Sequence, residues 1–196
     1  MVRAVSDESM LKRLRSDPAA VDLLAGVFEF DVSRTAPVEP VRLASGAKLD
    51  VIAGDGAGGS YFLCGEGGRR PVLYATSEGQ AGLIAADLTA VMELIVGAPF
   101  WRDCLKFSAG GRLEEMRSAA LRCEPELVED TPDIEERQAR LRATLGLGRT
   151  PVGALLTALH AAVTATAPDF VLLGPEGDEY ESLCNTFRVS DNPAWR

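Results

Sequence analysis

Four short strand candidates follow one another closely between residues 49 and 85, and their spacing limits the fold more than any other feature of the chain. They cover residues 49–53, 60–64, 71–76 and 82–85. Parallel neighbours would need a crossover connection of about a dozen residues or more, usually a helix, and each gap here is shorter. The spacing therefore predicts a mostly antiparallel sheet. The glycine-rich residues 65–68 predict a hairpin between the second and third strands.

Helical patterns precede and follow these strands. The predicted helices begin at Pro18, Asp87, Leu113, Thr131 and Thr150. In the last two, threonine is expected as the N-cap and the proline after it as the first helical residue. Two more short strands are expected at residues 41–43 and 170–173. This order predicts an α+β fold, with a mostly antiparallel sheet packed against helices and a helical C-terminal extension.

The change from strands to helices near residue 110 indicates a division of the chain. A length of 196 residues suits one domain, or one domain with an appended subdomain. We predict an α+β domain over residues 1–110 and a helical extension over residues 111–196. We expect the extension to pack on the domain and not to fold independently.

The charge balance and the hydropathy exclude several classes of partner. The chain has 20 Lys and Arg against 29 Asp and Glu, a net charge of −9, which disfavours binding to nucleic acid phosphates. A basic protein is the more plausible partner. No apolar stretch reaches the ~18 residues of a membrane span, and residues 1–15 are charged without an apolar signal core. We therefore predict a cytoplasmic protein that binds neither nucleic acid nor membranes.

The residues that usually carry catalysis or metal binding are sparse. His160 is the single histidine, and its predicted helix places it on the flank of an apolar face. No G-x-S-x-G motif is present. The four cysteines are Cys64, Cys104, Cys123 and Cys184. They form no CxxC pair, and we expect them to be reduced and mostly buried. We therefore predict that the chain is not an enzyme and has no catalytic residue, metal site or cofactor.

Residues 54–59 read Gly-Asp-Gly-Ala-Gly-Gly and satisfy the pattern G-x-G-x-x-G of dinucleotide-binding loops. Such a loop works where its third glycine opens a helix whose amides hold a pyrophosphate. Here a strand-like run follows, and the 11 residues between Gly59 and Pro71 leave no room for a crossover helix. We therefore predict a tight structural turn or bulge and no bound nucleotide. The turn residues are Gly54, Asp55, Gly56, Gly58 and Gly59.

A run of acidic residues without any basic residue lies between residues 124 and 136. Asp133, Glu135 and Glu136 have a local explanation, because acids in the first turn of a helix interact favourably with its dipole. Two interpretations of the run remain open: a solvated acidic face, or a docking surface for a basic partner. The candidate partner-binding residues are Glu124, Glu126, Glu129, Asp130, Asp133 and Glu136. A second acidic cluster comprises Glu176, Asp178, Glu179 and Glu181.

The middle of the chain is similar to a known family. The similar segments are VIAGDGAGGSYFLC at residues 51–64, RPVLYATSEG at residues 70–79, and LIA at residues 83–85, ahead of an amphipathic helix that ends before Trp101. On these segments, about residues 20–105 resemble the SUKH (SMI1/KNR4-like) superfamily. The resemblance implies an α+β domain whose mostly antiparallel sheet packs against helices. It also implies a bacterial protein that neutralises a toxin, commonly a nuclease, by binding it, and it brings no catalytic residue.

These observations favour a non-enzymatic bacterial binding protein of the SUKH type, an immunity protein whose partner is a basic toxin domain. The acidic net charge agrees with such a partner, because opposite charges steer association. The alternative is a general protein-interaction or regulatory module with no toxin partner, a use that the resemblance also implies. A toxin gene directly upstream would favour the first interpretation.

Overall fold

The computed structural model describes residues 5–37 and 39–184. Within these ranges the chain forms seven helices and seven strands. The helices are α1 Asp7–Arg15, α2 Pro18–Val27, α3 Leu88–Gly97, α4 Trp101–Lys106, α5 Leu113–Asp130, α6 Ile134–Leu145 and α7 Val152–Thr164. The strands are β1 Arg42–Leu43, β2 Leu49–Gly54, β3 Ser60–Cys64, β4 Val72–Ala75, β5 Gln80–Ala85, β6 Leu172–Leu173 and β7 Glu181–Ser182.

Five strands form the central sheet in the order β2-β3-β4-β5-β7. The first four pair antiparallel with their neighbours along the chain, and β7 pairs parallel with β5 at the edge. Strands β1 and β6 form a separate antiparallel pair. The predicted α+β fold with a mostly antiparallel sheet is confirmed. The predicted hairpin between residues 60–64 and 71–76 is the β3–β4 pair.

The sheet is buried on both faces, which explains why its strands read as nearly continuous apolar runs. Alternate residues of a strand point to opposite faces. Tyr61 and Leu63 of β3 belong to a large core that the helices share. Phe62, between them, belongs to a smaller core with Leu43 of β1 and Leu172 of β6. The sheet therefore separates two apolar cores.

Residues after 110 contribute strands as well as helices to this arrangement. Helix α7 packs on β5, and its Leu155, Leu156 and Leu159 are buried in the large core. Strand β6 pairs with β1, and β7 extends the central sheet. The C-terminal part is therefore integrated with the sheet, while the division at residue 110 stays a prediction.

Helix α1 is an element that the sequence pattern did not predict. Its charged residues conceal two apolar side chains four positions apart, Met10 and Leu14, which are both buried. Asp7, at the start of the helix, is also buried, and its carboxylate accepts hydrogen bonds from the backbone N–H groups of Arg70 and Leu88. This one side chain therefore attaches α1 to both the β3–β4 hairpin and α3.

Two predicted helix starts are wrong in detail. Thr131 is the C-cap of α5, not the N-cap of α6, and the N-cap of α6 is Asp133. Thr150 does not cap α7, because its hydroxyl donates to Glu93 Oε2 and Pro151 occupies the N-cap position. The predicted stop at Gly146 is confirmed, with a left-handed conformation that favours glycine.

Candidate functional site

The structure places the six candidate partner-binding residues on two consecutive helices. Glu124, Glu126, Glu129 and Asp130 lie in the last two turns of α5, whereas Asp133 is the N-cap of α6 and Glu136 lies in its first turn. All six are exposed. Because only residues 131–133 separate the helices, both sets border one corner of the molecule. We call these six residues the acidic surface.

Most of the acidic surface keeps an uncompensated charge. Asp133 accepts a hydrogen bond from Arg137 Nε at 2.7 Å, one turn further along α6, and this bond lowers the pKa of Asp133. Within residues 5–37 and 39–184, none of the other five residues forms an ion pair. Five exposed carboxylates are therefore without an ion-pair partner among the described residues.

The two halves of the acidic surface differ in their effect on helix stability. Glu136 lies near the N-terminus of α6, where the helix dipole stabilises negative charge. Glu129 and Asp130 lie in the last turn of α5, where the dipole opposes negative charge by about 0.3–1 kcal/mol per residue. Glu126 also faces Glu129 and Asp130 at helical spacings that place like charges together. The α5 acids therefore weaken their own helix.

We expect neutralisation of the α5 acids to stabilise the protein. The combined variant Glu126→Gln, Glu129→Gln and Asp130→Asn removes the unfavourable dipole and like-charge interactions, and should raise the free energy of unfolding by about 1–2 kcal/mol. Urea denaturation would measure the change. The matched control, Glu135→Gln with Glu136→Gln at the start of α6, should lower the free energy of unfolding. Changes of the same sign in both variants would contradict the dipole argument.

An arginine lies beside the second acidic cluster. Glu176, Asp178 and Glu179 lie in the turn between β6 and β7, and Glu181 begins β7. Arg42 Nη1 donates to the Gly174 carbonyl in the same turn at 3.2 Å. The acidic surface also has an arginine, Arg137, but five of its six carboxylates form no ion pair among the described residues, so it remains the stronger candidate for a cationic partner.

The glycine-rich segment is a turn between β2 and β3, and the side chain of an aspartate accepts hydrogen bonds from its backbone N–H groups. Asp55 is 1% exposed, and its Oδ1 accepts hydrogen bonds from the N–H groups of Ala57 and Gly59. Gly58 has a positive φ of 89°. A strand follows Gly59, and a Cβ at Gly59 would overlap the Tyr74 hydroxyl. The carboxylate of Asp55 therefore holds the amides that would face a phosphate in a dinucleotide loop.

Asp55 also forms the centre of a buried cluster that sequence reasoning missed. Its Oδ2 accepts hydrogen bonds from the Tyr74 hydroxyl at 2.5 Å and from Arg102 Nη1 at 2.7 Å. Arg102 forms a second ion pair with Glu29, and its guanidinium lies 5.4 Å from the centre of the Trp101 ring. Burial and the bond to Asp55 raise the pKa of Tyr74, which keeps its hydroxyl protonated. This cluster joins the turn, β4 and α4.

His160 and the cysteines have structural surroundings. The Nε2–H group of His160 donates to the Gly111 carbonyl at 2.8 Å, which connects α7 to the turn before α5. Burial raises the pKa of Cys64 and Cys104 to about 12, and it also raises the pKa of the half-buried Cys123 and Cys184. All four thiols stay protonated at neutral pH, so none has the thiolate character of a nucleophile.

Comparisons with known proteins identify no relative of this chain. No protein-family model, curated protein or solved structure matches this chain. In the part of the chain that the structure describes, no three His, Cys, Asp or Glu side chains are arranged to hold a metal ion. No helix in the same part is long and apolar enough to cross a bilayer.

Proposed function

We propose that this chain is a non-enzymatic bacterial binding protein of the SUKH type, which neutralises a basic toxin domain, such as a nuclease, by binding it in the cytoplasm. The acidic surface is the proposed contact. The resemblance of residues 51–64 and 70–79 to the family supports the class of protein. The net charge of −9 supports the sign of the partner's charge.

One observation carries the proposal: Glu129 and Asp130 lie exposed in the last turn of α5, where the helix dipole opposes negative charge. A solvated helix end would favour lysine or arginine at these positions, because cations interact favourably with a helix C-terminus. Residues that reduce stability without a structural benefit are typical of functional surfaces. A cationic partner would supply the missing charge and reverse the unfavourable interaction.

The proposal predicts that association with the toxin domain depends strongly on salt, and the product of the gene directly upstream is the first partner to test. Raising the salt concentration from about 50 to 500 mM shortens the Debye length from about 14 to 4 Å, so the association rate constant should fall at least tenfold. Stopped-flow fluorescence would measure this rate. The combined charge reversal of Glu129, Asp130 and Glu136 to lysine should slow association to a similar extent at low salt.

A matched control separates the surface from the net charge. Glu66, Glu78 and Asp169 are exposed, lie outside both acidic clusters and form no ion pair among the described residues. Their reversal to lysine changes the net charge by the same amount. Equal slowing by the two triple variants would leave the α5 and α6 acids as an ordinary solvated face. A toxin domain that fails to bind would favour the alternative module without a toxin partner.

A further inference from the structure

A groove of about 410 Å³ opens beside the acidic surface, between the C-terminal half of α5, helix α6 and the segment that leads into α7. Apolar side chains from all three elements line it: Leu127, Val128, Ile134, Pro151 and Val152. Val128 is 48% exposed, although it is a large aliphatic residue. A concave site with accessible apolar walls is a typical place for a partner's side chain to insert.

The charges that line this groove are separated along α6. Glu135 lies in the first turn of α6, and Arg142 lies seven residues later, which corresponds to about 10 Å along the helix axis. Arg149 also lines the groove. Burial lowers the pKa of Arg142, and the positive charge of Arg149 lowers it further. Glu124 adds a carboxylate from α5. The groove is therefore acidic where α6 begins and basic where α6 ends.

We propose that this groove binds a peptide segment of the partner that carries an apolar side chain between a basic and an acidic residue. The apolar side chain packs against Val128 and Ile134. The basic residue pairs with Glu135 at the start of α6, and the acidic residue pairs with Arg142 and Arg149 at its end. This inference rests on the proposed function, because the acidic surface attracts the same partner and the groove gives it a defined register.

Charge complementarity selects this occupant over two others. A second copy of the chain carries the same net charge of −9, so two acidic surfaces brought to one interface would repel each other. A purely apolar small molecule would cover Glu124, Glu135, Arg142 and Arg149 without giving them partners, and desolvation of unpaired charges is costly. A segment with both signs of charge satisfies the walls and fills the apolar floor.

Synthetic peptides test the inference without the natural partner. The probe is a capped heptapeptide, Lys-Lys-Ala-Trp-Ala-Ala-Glu, titrated to about 2 mM against the full-length protein and followed by amide chemical shifts. We expect saturable shifts centred on Leu127, Val128, Ile134 and Val152. Replacing the tryptophan of the probe by serine should weaken binding at least tenfold, because the apolar anchor is lost. Absence of binding, or shifts centred elsewhere, would overturn the inference.

Two variants of the protein sharpen the test. Val128→Ser should weaken binding of the probe at least fivefold, whereas Leu121→Ser should not change it, because Leu121 is 75% exposed on the same helix but lies outside the groove. Arg149→Glu should weaken binding of the original probe and strengthen binding of a probe that ends in lysine in place of glutamate. Equal effects of Val128→Ser and Leu121→Ser, or no exchange of preference with Arg149→Glu, would contradict the inference.

The outcome is separable from that of the proposed function. If the peptides fail but the Glu129, Asp130 and Glu136 reversal still slows association with the toxin domain, the groove proposal is wrong and the proposed function stands. If the peptides bind in the groove but the rate of association with the toxin domain changes with neither salt nor charge reversal, the groove proposal stands and the proposed basic toxin partner is wrong.

Discussion

A chain that ends at residue 110 should fail to fold. It lacks nine aliphatic side chains that are buried in the complete protein: Ile134, Leu141, Leu145, Leu155, Leu156, Leu159, Val163, Leu172 and Leu183. Each contributes about 1.5–3 kcal/mol through burial, so their combined contribution is of the same order as the ~5–15 kcal/mol of net stability of a typical domain, or larger. The truncation also uncovers β5, on which α7 packs.

NMR spectroscopy and thermal denaturation of residues 1–110 test this prediction. Residues 1–110 alone should give a collapsed amide NMR spectrum and no cooperative thermal transition. Adding the complementary fragment, residues 111–196, should restore a dispersed spectrum, because the two parts share the large core. A cooperative transition for residues 1–110 alone would mean that the α+β part is a domain in its own right and that the core contributed by α7 is dispensable.

The sequence predicts the strands well because local turn chemistry determines them. Strands β2 to β5 are short, apolar and separated by gaps too small for a crossover, so both their existence and their antiparallel order follow from chain geometry. Helix α1 escapes the same reasoning. Its charged residues dominate the pattern, and only Met10 and Leu14 show its buried side. The two-residue strand β7 is too short for any periodicity to indicate it.

The acidic surface is predicted from the sequence as a set of residues, but its energetics are not. The residues lie where helical spacing places them, and Glu135 and Glu136 occupy the first turn of α6 as predicted. The unfavourable position of the α5 acids depends on where α5 ends, and that boundary needs the structure. The predicted cap at Thr131 gives no indication that α5 continues through Pro125 to Asp130.

The Asp55 cluster could not be predicted from any local pattern. Its partners Tyr74 and Arg102 lie 19 and 47 residues away in sequence, and only the folded sheet and α4 bring them together. The sequence signal is an aspartate within a glycine-rich turn, and aspartate is common in turns without any tertiary partner. Tertiary contacts convert that turn residue into a buried ion-pair partner.

We expect Asp55→Ala to destabilise the folded protein by about 3–5 kcal/mol. The substitution removes the acceptor for two backbone N–H groups and for the Tyr74 hydroxyl, and it leaves the guanidinium of Arg102 without its buried partner. The cost arises because buried donors lose their acceptor and because Arg102, whose side chain is 27% exposed, keeps only its exposed partner Glu29. Urea denaturation would measure the loss.

Asp50→Ala is the matched control, because it tests an ion-paired aspartate on the adjoining strand β2. Asp50 accepts from Arg70 at 2.6 Å and from Lys48 at 2.8 Å, but its side chain is 36% exposed. Solvent replaces the lost partners there, so the expected cost is about 1 kcal/mol or less. If Asp55→Ala costs no more than Asp50→Ala, the buried cluster is not a determinant of stability. Since neither residue belongs to the acidic surface, association of the folded variants with a basic partner should keep its salt dependence, which separates the stabilising cluster from the proposed binding site.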